Sequence, residues 1–417
     1  MADRPPEHHL FIFWRWPADR ADSLIDSIRE KFEINSVQHV HWTADRIVDN
    51  FQRFYAMISG HAYQKYAEAG ALPFLFVLVT DPKPVYAYRV AGGSGYKYVN
   101  VNTFDLKQKL RHQRGISLHA TNNQREFRRD YIYLTGDLAS DIKVVPWDER
   151  IGEMRGDIVA ADGWKDLRQV FTVLNEAIDY VVLRNFAKLP DEHRHGIHGD
   201  IDLLVDDVDA RNRGASILNK EQRAHTVVGD QKIYIDFRSI EDFYYDPEWC
   251  REILRTKIML RGLYVPNPQD HFFSLLYHGH VHKPKIAKDY IPRLIALAEE
   301  IGLKDITEHK VTDPVQAAVV LDEWLRGRGY YLTRPNGCPA YNQGFVARMK
   351  APFLYQSESN FYQQLMAAGG EQNGSGELAE RISNFEANFM SRRFLLRAFM
   401  NRLADYPSDL RRRMMSR

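Results

Sequence analysis

Hydrophobic and polar residues follow strand-like and helix-like spacings in turn along the first third of the chain. The run HLFIFWRW at 9–16 is apolar enough for a buried strand, and ADSLIDSIREKF after it has apolar residues at helical spacing. Further strands are predicted at NSVQHVHW, PFLFVLVT and PVYAYRVA, and a long helix is predicted from Ala44 to Ala69. This order predicts an α+β domain over residues 1–140.

A second set of elements follows a polar connector that begins at Asp137. A helix at 164–178 precedes the strand DYVVLRNF, a loop, the strand DIDLLV, a further helix and a hairpin that ends in QKIYIDFRS. The pattern becomes mostly helical from about residue 248. We therefore expect an α+β multidomain protein, with an α/β domain at 150–300 and a helical C-terminal region at 301–417 that contains a linker near 369–377.

Composition narrows the functional classes. The chain has 44% hydrophobic and 27% charged residues and a formal net charge of +1, so we expect no general or specific nucleic-acid partner. Cys250 and Cys338 lack the spacing of a disulfide scaffold or a zinc ribbon. The apolar runs are too short to span a bilayer and the first residues do not resemble a signal peptide, so we expect a cytoplasmic location.

The stretch HGDIDLLV carries two acids where a strand is predicted. Alternation places Asp200 and Asp202 on one face, and the two carboxylates repel unless a cation lies between them. Asp236, an isolated acid in KIYIDFR, is a third candidate on a later strand. Three carboxylates form a ligand set for one or two Mg²⁺ ions that bind substrate phosphates. The alternative is a strand at the edge of a sheet whose aspartates are solvated.

Residues 165–240 resemble the nucleotidyltransferase superfamily of the DNA polymerase β type. The resemblance implies that Asp200 and Asp202 are the paired metal ligands and that Asp236 is the third. The family has a Gly-Gly or Gly-Ser turn after its first strand, where this chain has Arg184 and Asn185. We expect Arg184 to bind phosphate through two guanidinium nitrogens instead.

Three histidines crowd the loop before the paired acids. His193, His195 and His198 are candidates for contact with phosphate or for accepting a proton, and His198 directly precedes the Gly-Asp pair. A polar loop without any of these roles explains them equally well.

The first domain resembles the nucleoside diphosphate kinases over about residues 9–136, in its order of elements and in the segment LHATN. The resemblance implies a ferredoxin-like sheet and a histidine, His119, that takes a phosphoryl group from a nucleoside triphosphate. Asp130 stands eleven residues later, where the family has a glutamate that orients the histidine. Tyr55 matches a tyrosine of the family's long helix, and Arg15 is one residue out of step with a lysine of the first strand.

This segment also departs from the kinase pattern. Ala120, Thr121 and Asn122 replace the Gly, Ser and Asp of the family motif. The arginine-rich nucleotide loop is shortened, although four basic residues remain in position to meet phosphates: Lys107, Lys109, Arg111 and Arg114. The alternative is a domain that retains the fold but has lost the phosphotransfer reaction.

The chain ends in a basic amphipathic segment. From Asn388 onward it carries eight arginines against Asp405 and Asp409. Such a segment is typical of contact with an anionic membrane surface or an acidic partner, and equally of a solvated helix that packs on its own domain.

These patterns predict a Mg²⁺-dependent nucleotidyltransferase or phospho-group transferase. Its substrates would be a nucleoside triphosphate and a small-molecule or carbohydrate acceptor, and its kinase-like first domain would bind nucleotide. A nucleotide-binding regulatory or scaffold protein, in which both sites have decayed, is the alternative. The sequence leaves the acceptor and the oligomeric state open.

Overall fold

The computed structural model describes residues 4–57, 59–69, 73–90, 96–113, 115–193, 199–218, 224–335 and 341–354. Within these ranges the chain combines helices with mixed sheets, which confirms the predicted α+β class. It divides into two compact units. The first runs through Glu241 and includes Thr256–His271, and the second comprises Asp242–Arg255 and continues from Phe272. The domain boundaries predicted near residues 140 and 300 stay predictions.

The first unit begins with a five-stranded sheet and its covering helices. Their bounds are β1 (Glu7–Arg15), α1 (Ala21–Arg29), β2 (Glu33–His41), α2 (Ile47–Tyr55), α3 (Ser59–Ala69), β3 (Phe74–Asp81), β4 (Tyr86–Val90), β5 (Tyr96–Asn100), α4 (Val101–Arg111), β6 (Ser117–Ala120), α5 (Gln124–Thr135) and β7 (Ile151–Arg155). The sheet order is β6-β1-β3-β2-β7, and β4 and β5 form a separate hairpin. Neighbouring strands are antiparallel except β2 and β7, which are parallel.

Strand β1 is buried on both faces because helices cover both sides of the sheet. Leu10, Ile12 and Trp14 belong to one core cluster, whereas Phe11 and Phe13 belong to another, as alternation requires. The second cluster is completed by α1 and α4 through Leu24, Ile25, Ile28, Leu106 and Leu110. The apolar run that predicted this strand therefore reflects burial on two faces.

Two local features differ from the prediction. The long helix predicted from Ala44 to Ala69 is divided, because Ala56 adopts a left-handed conformation (φ 53°) at the end of α2. The polar connector also supplies β7, which lies at the edge of the sheet and is mostly exposed. Its sequence, IGEMR, lacks the apolar alternation that marks a strand with one buried face.

The first unit continues with a second, four-stranded sheet. The elements are α6 (Leu167–Ala177), β8 (Tyr180–Val182), β9 (Ile201–Val205), α7 (Val208–Leu218), β10 (His225–Val228) and β11 (Gln231–Ser239), and a hairpin follows with β12 (Ile258–Leu260) and β13 (Leu263–Val265). The sheet order is β10-β11-β9-β8. The succession of helix, strand, loop, strand, helix and hairpin agrees with the prediction.

The two sheets of the first unit share one hydrophobic core. Helix α5 packs on α6 and α2 packs on α7, and the cluster that contains Trp14 extends through Phe127 to Leu203. Helix α7 approaches β11 closely at Gly214, where an added Cβ would lie 2.4 Å from the ring of Phe237. A side chain there would force the helix away from the sheet.

Helices form most of the described part of the second unit. The chain supplies α8 (Pro247–Thr256), α9 (Pro268–His280), α10 (Tyr290–Glu300), α11 (Glu308–Thr312), α12 (Pro314–Arg328) and α13 (Gln343–Val346). Aromatic packing dominates: Trp249 lies 4.7 Å from Trp324 and 5.7 Å from Tyr277 between ring centroids. In the described ranges, every helix is too short or too polar to cross a bilayer. The linker near 369–377 and the basic segment from Asn388 lie outside the described residues.

Candidate functional site

The paired acids lie in the middle of the second sheet. In the parallel pair of β9 and β11, Asp202 is the register partner of Asp236. Register partners project from the same face, so the two carboxylates are neighbours there. Ile201 and Leu203 project from the opposite face into the core. Asp200 stands one residue before β9, two positions from Asp202.

A guanidinium lies beside this acid pair. Nη2 of Arg184 is 2.8 Å from Oδ1 of Asp202, and Arg184 is only 7% exposed. The N–H of Leu183 donates to the carbonyl of Asp202 (2.9 Å), which brings the residue after β8 next to the acid. Asn185 then adopts a left-handed conformation (φ 62°), which asparagine tolerates better than most residues. The turn without Gly-Ser is therefore built around Asn185, and it places Arg184 against Asp202.

Burial and neighbouring acids disfavour the ionised form of the Asp202 carboxyl group. Burial is the largest effect and raises the pKa of Asp202, and the charges of Asp236 and Asp200 raise it further. Arg184 and Arg238 act in the opposite direction, but the net pKa stays above the usual value of an aspartate. Additional positive charge at this face would favour the ionised form.

The donor types at this face fit Mg²⁺, since Asp202 and Asp236 offer the carboxylate oxygens that this ion prefers. Among the described residues, however, no group of three or more His, Cys, Asp or Glu side chains is arranged to hold a metal ion. The cation beside Asp202 in this arrangement is the guanidinium of Arg184.

His119 and Asp130 meet in the first sheet. His119 lies on the edge strand β6, and α5 begins four residues after that strand ends. Asn123 caps the helix, since its Oδ1 accepts a hydrogen bond from the N–H of Glu126 (2.9 Å). The helix runs back along the strand, so Nε2 of His119 lies 2.7 Å from Oδ2 of Asp130. The two residues are 8% and 0% exposed.

Asp130 is held ionised by two basic neighbours. Its other oxygen, Oδ1, accepts from Nε (2.7 Å) and lies 2.6 Å from Nη2 of Arg129. Burial alone would raise the pKa of Asp130, but the charges of Arg129 and His119, with their hydrogen bonds, lower it overall. A carboxylate fixed in this way orients the imidazole of His119 and favours a proton on Nε2.

Aromatic rings enclose the other side of His119. The ring centroids of Phe54 and Tyr55 lie 5.6 Å and 5.7 Å from that of the imidazole, both nearly perpendicular to it. The hydroxyl of Tyr55 accepts from Nε1 of Trp14 (2.7 Å). Burial raises the pKa of Tyr55, so the phenol stays protonated. Since Nε2 binds Asp130, Nδ1 is the imidazole atom that remains for chemistry.

Two of the predicted phosphate ligands bind the backbone beside His119. Nζ of Lys107 donates to the carbonyl of Ala120 (3.0 Å), and Nε of Arg111 donates to the carbonyl of Leu118 (2.9 Å). These carbonyls flank His119 on an edge strand that has only β1 as its neighbour in the sheet. Helix α4 therefore satisfies the outer edge of the strand. Burial lowers the pKa of Lys107 to about 8 and also lowers that of Arg111.

Arg15 lies at the exposed end of β1. A bulge between Phe13 and Arg15 shifts the register, so that Arg15 pairs with Ser117, two residues before His119. The nucleotide-binding role of Arg15 stays a prediction. Lys65, which the sequence did not single out, also reaches this region: its Nζ lies 3.3 Å from Oγ of Ser117 and 5.8 Å from the ring centroid of Tyr55.

The structure therefore gathers the predicted residues into two groups. The first group lies in or beside the second sheet and comprises Asp200, Asp202, Asp236, Arg184 and Asn185. The second group lies in or beside the first sheet and comprises His119, Asp130, Tyr55, Lys107, Arg111 and Arg15. Arg114 and His198, with His195, are outside the described residues.

Sequence reasoning missed Arg129, which lowers the pKa of Asp130, and Arg238, which acts in the same direction on Asp202. Arg129 is adjacent to Asp130, and Arg238 is two residues after Asp236 on the same face of β11. A basic residue near a buried acid is the signal that could have found both.

No protein-family model matches the chain, and neither a curated protein nor a solved structure matches it.

Proposed function

We propose that this chain is a Mg²⁺-dependent nucleotidyl- or phospho-group transferase that binds a nucleoside triphosphate at Asp200, Asp202 and Asp236. The observation that carries the proposal is the register of Asp202 with Asp236 on neighbouring parallel strands. The raised pKa of Asp202, caused first by burial and then by the two other acids, supports it, because a cation would relieve that charge.

Each group in this face has a role in the proposal. Mg²⁺ would neutralise the triphosphate and activate the attacking oxygen. Asp202 and Asp236 would hold the ion, and Arg184 would bind phosphate oxygens from its place beside Asp202. An acceptor hydroxyl or phosphate, of a small molecule or a carbohydrate, would replace pyrophosphate on the α-phosphorus. The reaction would take place in the cytoplasm, where nucleoside triphosphates are available.

The arrangement of elements supports the finer fold assignment that goes with this function. The order β6-β1-β3-β2 with antiparallel neighbours fits a ferredoxin-like, nucleoside-diphosphate-kinase-like domain. The acids on β9 and β11, between α6, α7 and the hairpin, fit a polymerase-β-type nucleotidyltransferase domain.

The main proposal is tested with nucleoside triphosphates labelled at the α-phosphate. The full chain would be incubated with Mg²⁺, each labelled triphosphate in turn, and a panel of sugars and sugar phosphates. We expect labelled product and released pyrophosphate. Asp202→Asn and Asp236→Asn should lower the rate by about 10²-fold or more, because each removes a preorganised charge from the triphosphate site.

Asp209→Asn is the matched control, since Asp209 is an exposed acid at the start of α7. It should keep the wild-type rate. Undiminished label transfer in Asp202→Asn and Asp236→Asn, with folding confirmed by circular dichroism, would remove the assignment of these acids.

A second candidate function is phosphotransfer through His119. The observation that favours it is the 2.7 Å contact between Nε2 of His119 and Asp130, which leaves Nδ1 as the possible nucleophile. In that step Nδ1 would bond to the γ-phosphorus, the bond to the leaving nucleoside diphosphate would break, and an acceptor would later take the phosphoryl group.

This candidate is tested with triphosphate labelled at the γ-phosphate. Acid-labile label should appear on the wild-type chain and should be lost in His119→Ala. His112→Ala is the control because His112 is an exposed histidine at the end of α4, and it should label normally. Equal labelling of His119→Ala and the wild type would exclude His119 as the phosphorylated group.

A further inference from the structure

Helices α2, α5 and α7 of the first unit contribute three arginines and a tyrosine to one group, and one of the arginines, Arg129, also contacts Asp130 of the second candidate site. Arg129 and Tyr133 lie one turn apart on α5, so they share a face of that helix. Arg53 comes from α2 and Arg213 from α7. We call the four residues the arginine cluster: Arg53, Arg129, Tyr133 and Arg213.

Hydrogen bonds to the backbone fix the position of the cluster. Nη2 of Arg53 donates to the carbonyl of Ile217 (2.9 Å), one turn after Arg213 on α7, and to the carbonyl of Val159 (3.0 Å). The N–H of Val159 in turn donates to the carbonyl of Tyr133 (2.9 Å). The guanidinium of Arg53 is therefore held between the backbones of α7 and of the segment that follows β7.

Several donors of the cluster have no hydrogen-bond acceptor in the part of the chain that the structure describes. Nε of Arg53 is buried there without an acceptor. The hydroxyl of Tyr133, a residue only 3% exposed, and the half-buried guanidinium of Arg213 also make no hydrogen bond within the described residues. Donors in such surroundings normally find a partner in the protein, in water or in a ligand.

Within the described residues, Arg129 is the arginine of the cluster that makes direct ion pairs with acids. Arg129 is balanced by Asp130, which it contacts at 2.6 Å, and Glu126 lies at 3.9 Å from Arg129. In the described ranges, Arg213 has no acidic partner within ion-pair distance. Burial lowers the pKa of Arg213 and the charge of Arg129 lowers it further, whereas the charges of Glu126 and Asp130 act in the opposite direction. Burial likewise lowers the pKa of Arg53, against the charge of Asp49. A bound anion would offset the repulsion between Arg129 and Arg213.

We propose that the arginine cluster is a binding site for a phosphate group, held by the guanidinium of Arg213, Nε of Arg53 and the hydroxyl of Tyr133. Guanidinium groups bind phosphate oxygens through paired N–H donors, and the tyrosine adds a neutral donor.

This site is separate from the acid face of the second sheet. Gly214 of α7 packs on Phe237, whose side chain alternates along β11 with that of Asp236. Helix α7 therefore covers the face opposite to Asp236 and Asp202. The phosphate is carried either by a nucleotide or by a small phosphorylated metabolite. The proposal is independent of the proposed function.

The test measures thermal unfolding of the full chain against increasing inorganic phosphate, pyrophosphate or ATP. EDTA is present throughout, so that metal-dependent binding makes no contribution, and ionic strength is held constant with chloride. The wild-type melting temperature should rise with ligand concentration, because the ligand binds the folded state.

Two variants localise the effect and one controls for charge. Arg213→Gln should weaken the apparent affinity roughly tenfold or more, because it removes a charged hydrogen-bond donor. Its melting temperature without ligand should stay close to that of the wild type, because Arg213 is half-buried and makes no ion pair within the described residues. Tyr133→Phe should weaken binding without changing the fold. Arg211→Gln alters the charge of the same helix two residues away and should respond as the wild type does.

Each outcome bears on the proposal. Loss of the phosphate response in Arg213→Gln and its retention in Arg211→Gln would support the site. Stabilisation by orthophosphate would indicate a small phosphorylated ligand, whereas a response to ATP alone would indicate a nucleotide. An equal response of the wild type and Arg213→Gln, or no response beyond that to chloride, would overturn the proposal.

Discussion

Two aspartates of the first unit, the buried Asp130 and the partly buried Asp202, have opposite electrostatic surroundings. Burial by itself raises the pKa of both Asp130 and Asp202. Asp130 contacts the guanidinium of Arg129 and the imidazole of His119, and these two groups lower its pKa overall. Asp202 has Arg184 at 2.8 Å but also Asp200 and Asp236 nearby, and its pKa stays raised. Asp130 is therefore satisfied within the protein, whereas a further positive charge beside Asp202 would favour its ionised form.

At the scale of single residues, we predict that Asp130→Asn strongly destabilises the chain. The substitution leaves the guanidinium of Arg129, a residue only 6% exposed, without its carboxylate. Removing one member of a buried ion pair costs about 3–5 kcal/mol. The measurement is the free energy of unfolding in urea at pH 7. Asp137→Asn, at an exposed acid just after α5, is the control and should change stability by less than about 0.5 kcal/mol.

The same ion pair predicts how stability depends on pH. Because the pKa of Asp130 is lower in the folded chain than in the unfolded chain, its contribution is complete above roughly pH 3.9, the ordinary value, and is lost as the pH falls through the folded value. The stability difference between the wild type and Asp130→Asn should therefore shrink in acid. A difference that stays constant from pH 7 to well below pH 3.9, with the chain still folded, would contradict the lowered pKa of Asp130.

At the scale of secondary structure, the sequence predicted features that depend on residues close together in the chain. The apolar run predicted β1, and the eleven-residue spacing predicted the contact of His119 with Asp130; the structure contains both. The break at Ala56 was missed because an alanine in a left-handed conformation leaves no signal in the hydrophobic pattern.

The register of the strands and the tertiary contacts could not be predicted from local sequence patterns. The pairing of Asp202 with Asp236 depends on how β9 and β11 align across an intervening helix and strand. The contact of Arg184 with Asp202 depends on the turn at Asn185. The sequence indicated which residues carry charge, but only their alignment in the fold decides which charges meet.

The short edge strand β6 illustrates the same limit. Lys107 and Arg111 were predicted to meet phosphates, a role that stays a prediction. In the structure both donate to carbonyls that flank His119. The sequence alone does not distinguish a basic side chain that binds a ligand from one that donates hydrogen bonds to the backbone carbonyls of an edge strand.

At the scale of the whole molecule, both groups of candidate residues belong to the first unit and are built on one hydrophobic core. The arginine cluster lies within this unit, and Arg129 connects it to Asp130 and His119. We propose that the acid face of the second sheet binds a nucleoside triphosphate together with Mg²⁺. An equilibrium measurement of this binding does not require the acceptor.

The most direct test is calorimetric titration of the full chain with a non-hydrolysable nucleoside triphosphate, in Mg²⁺ and in EDTA. Asp236→Asn is the informative variant, because it removes one carboxylate and leaves the ion pair of Arg184 with Asp202 intact. We predict that Mg²⁺ strengthens binding to the wild type and to Asp209→Asn by roughly tenfold or more, and that Asp236→Asn loses this gain. Equal affinity in Mg²⁺ and EDTA would contradict the claim and would favour a regulatory nucleotide-binding protein.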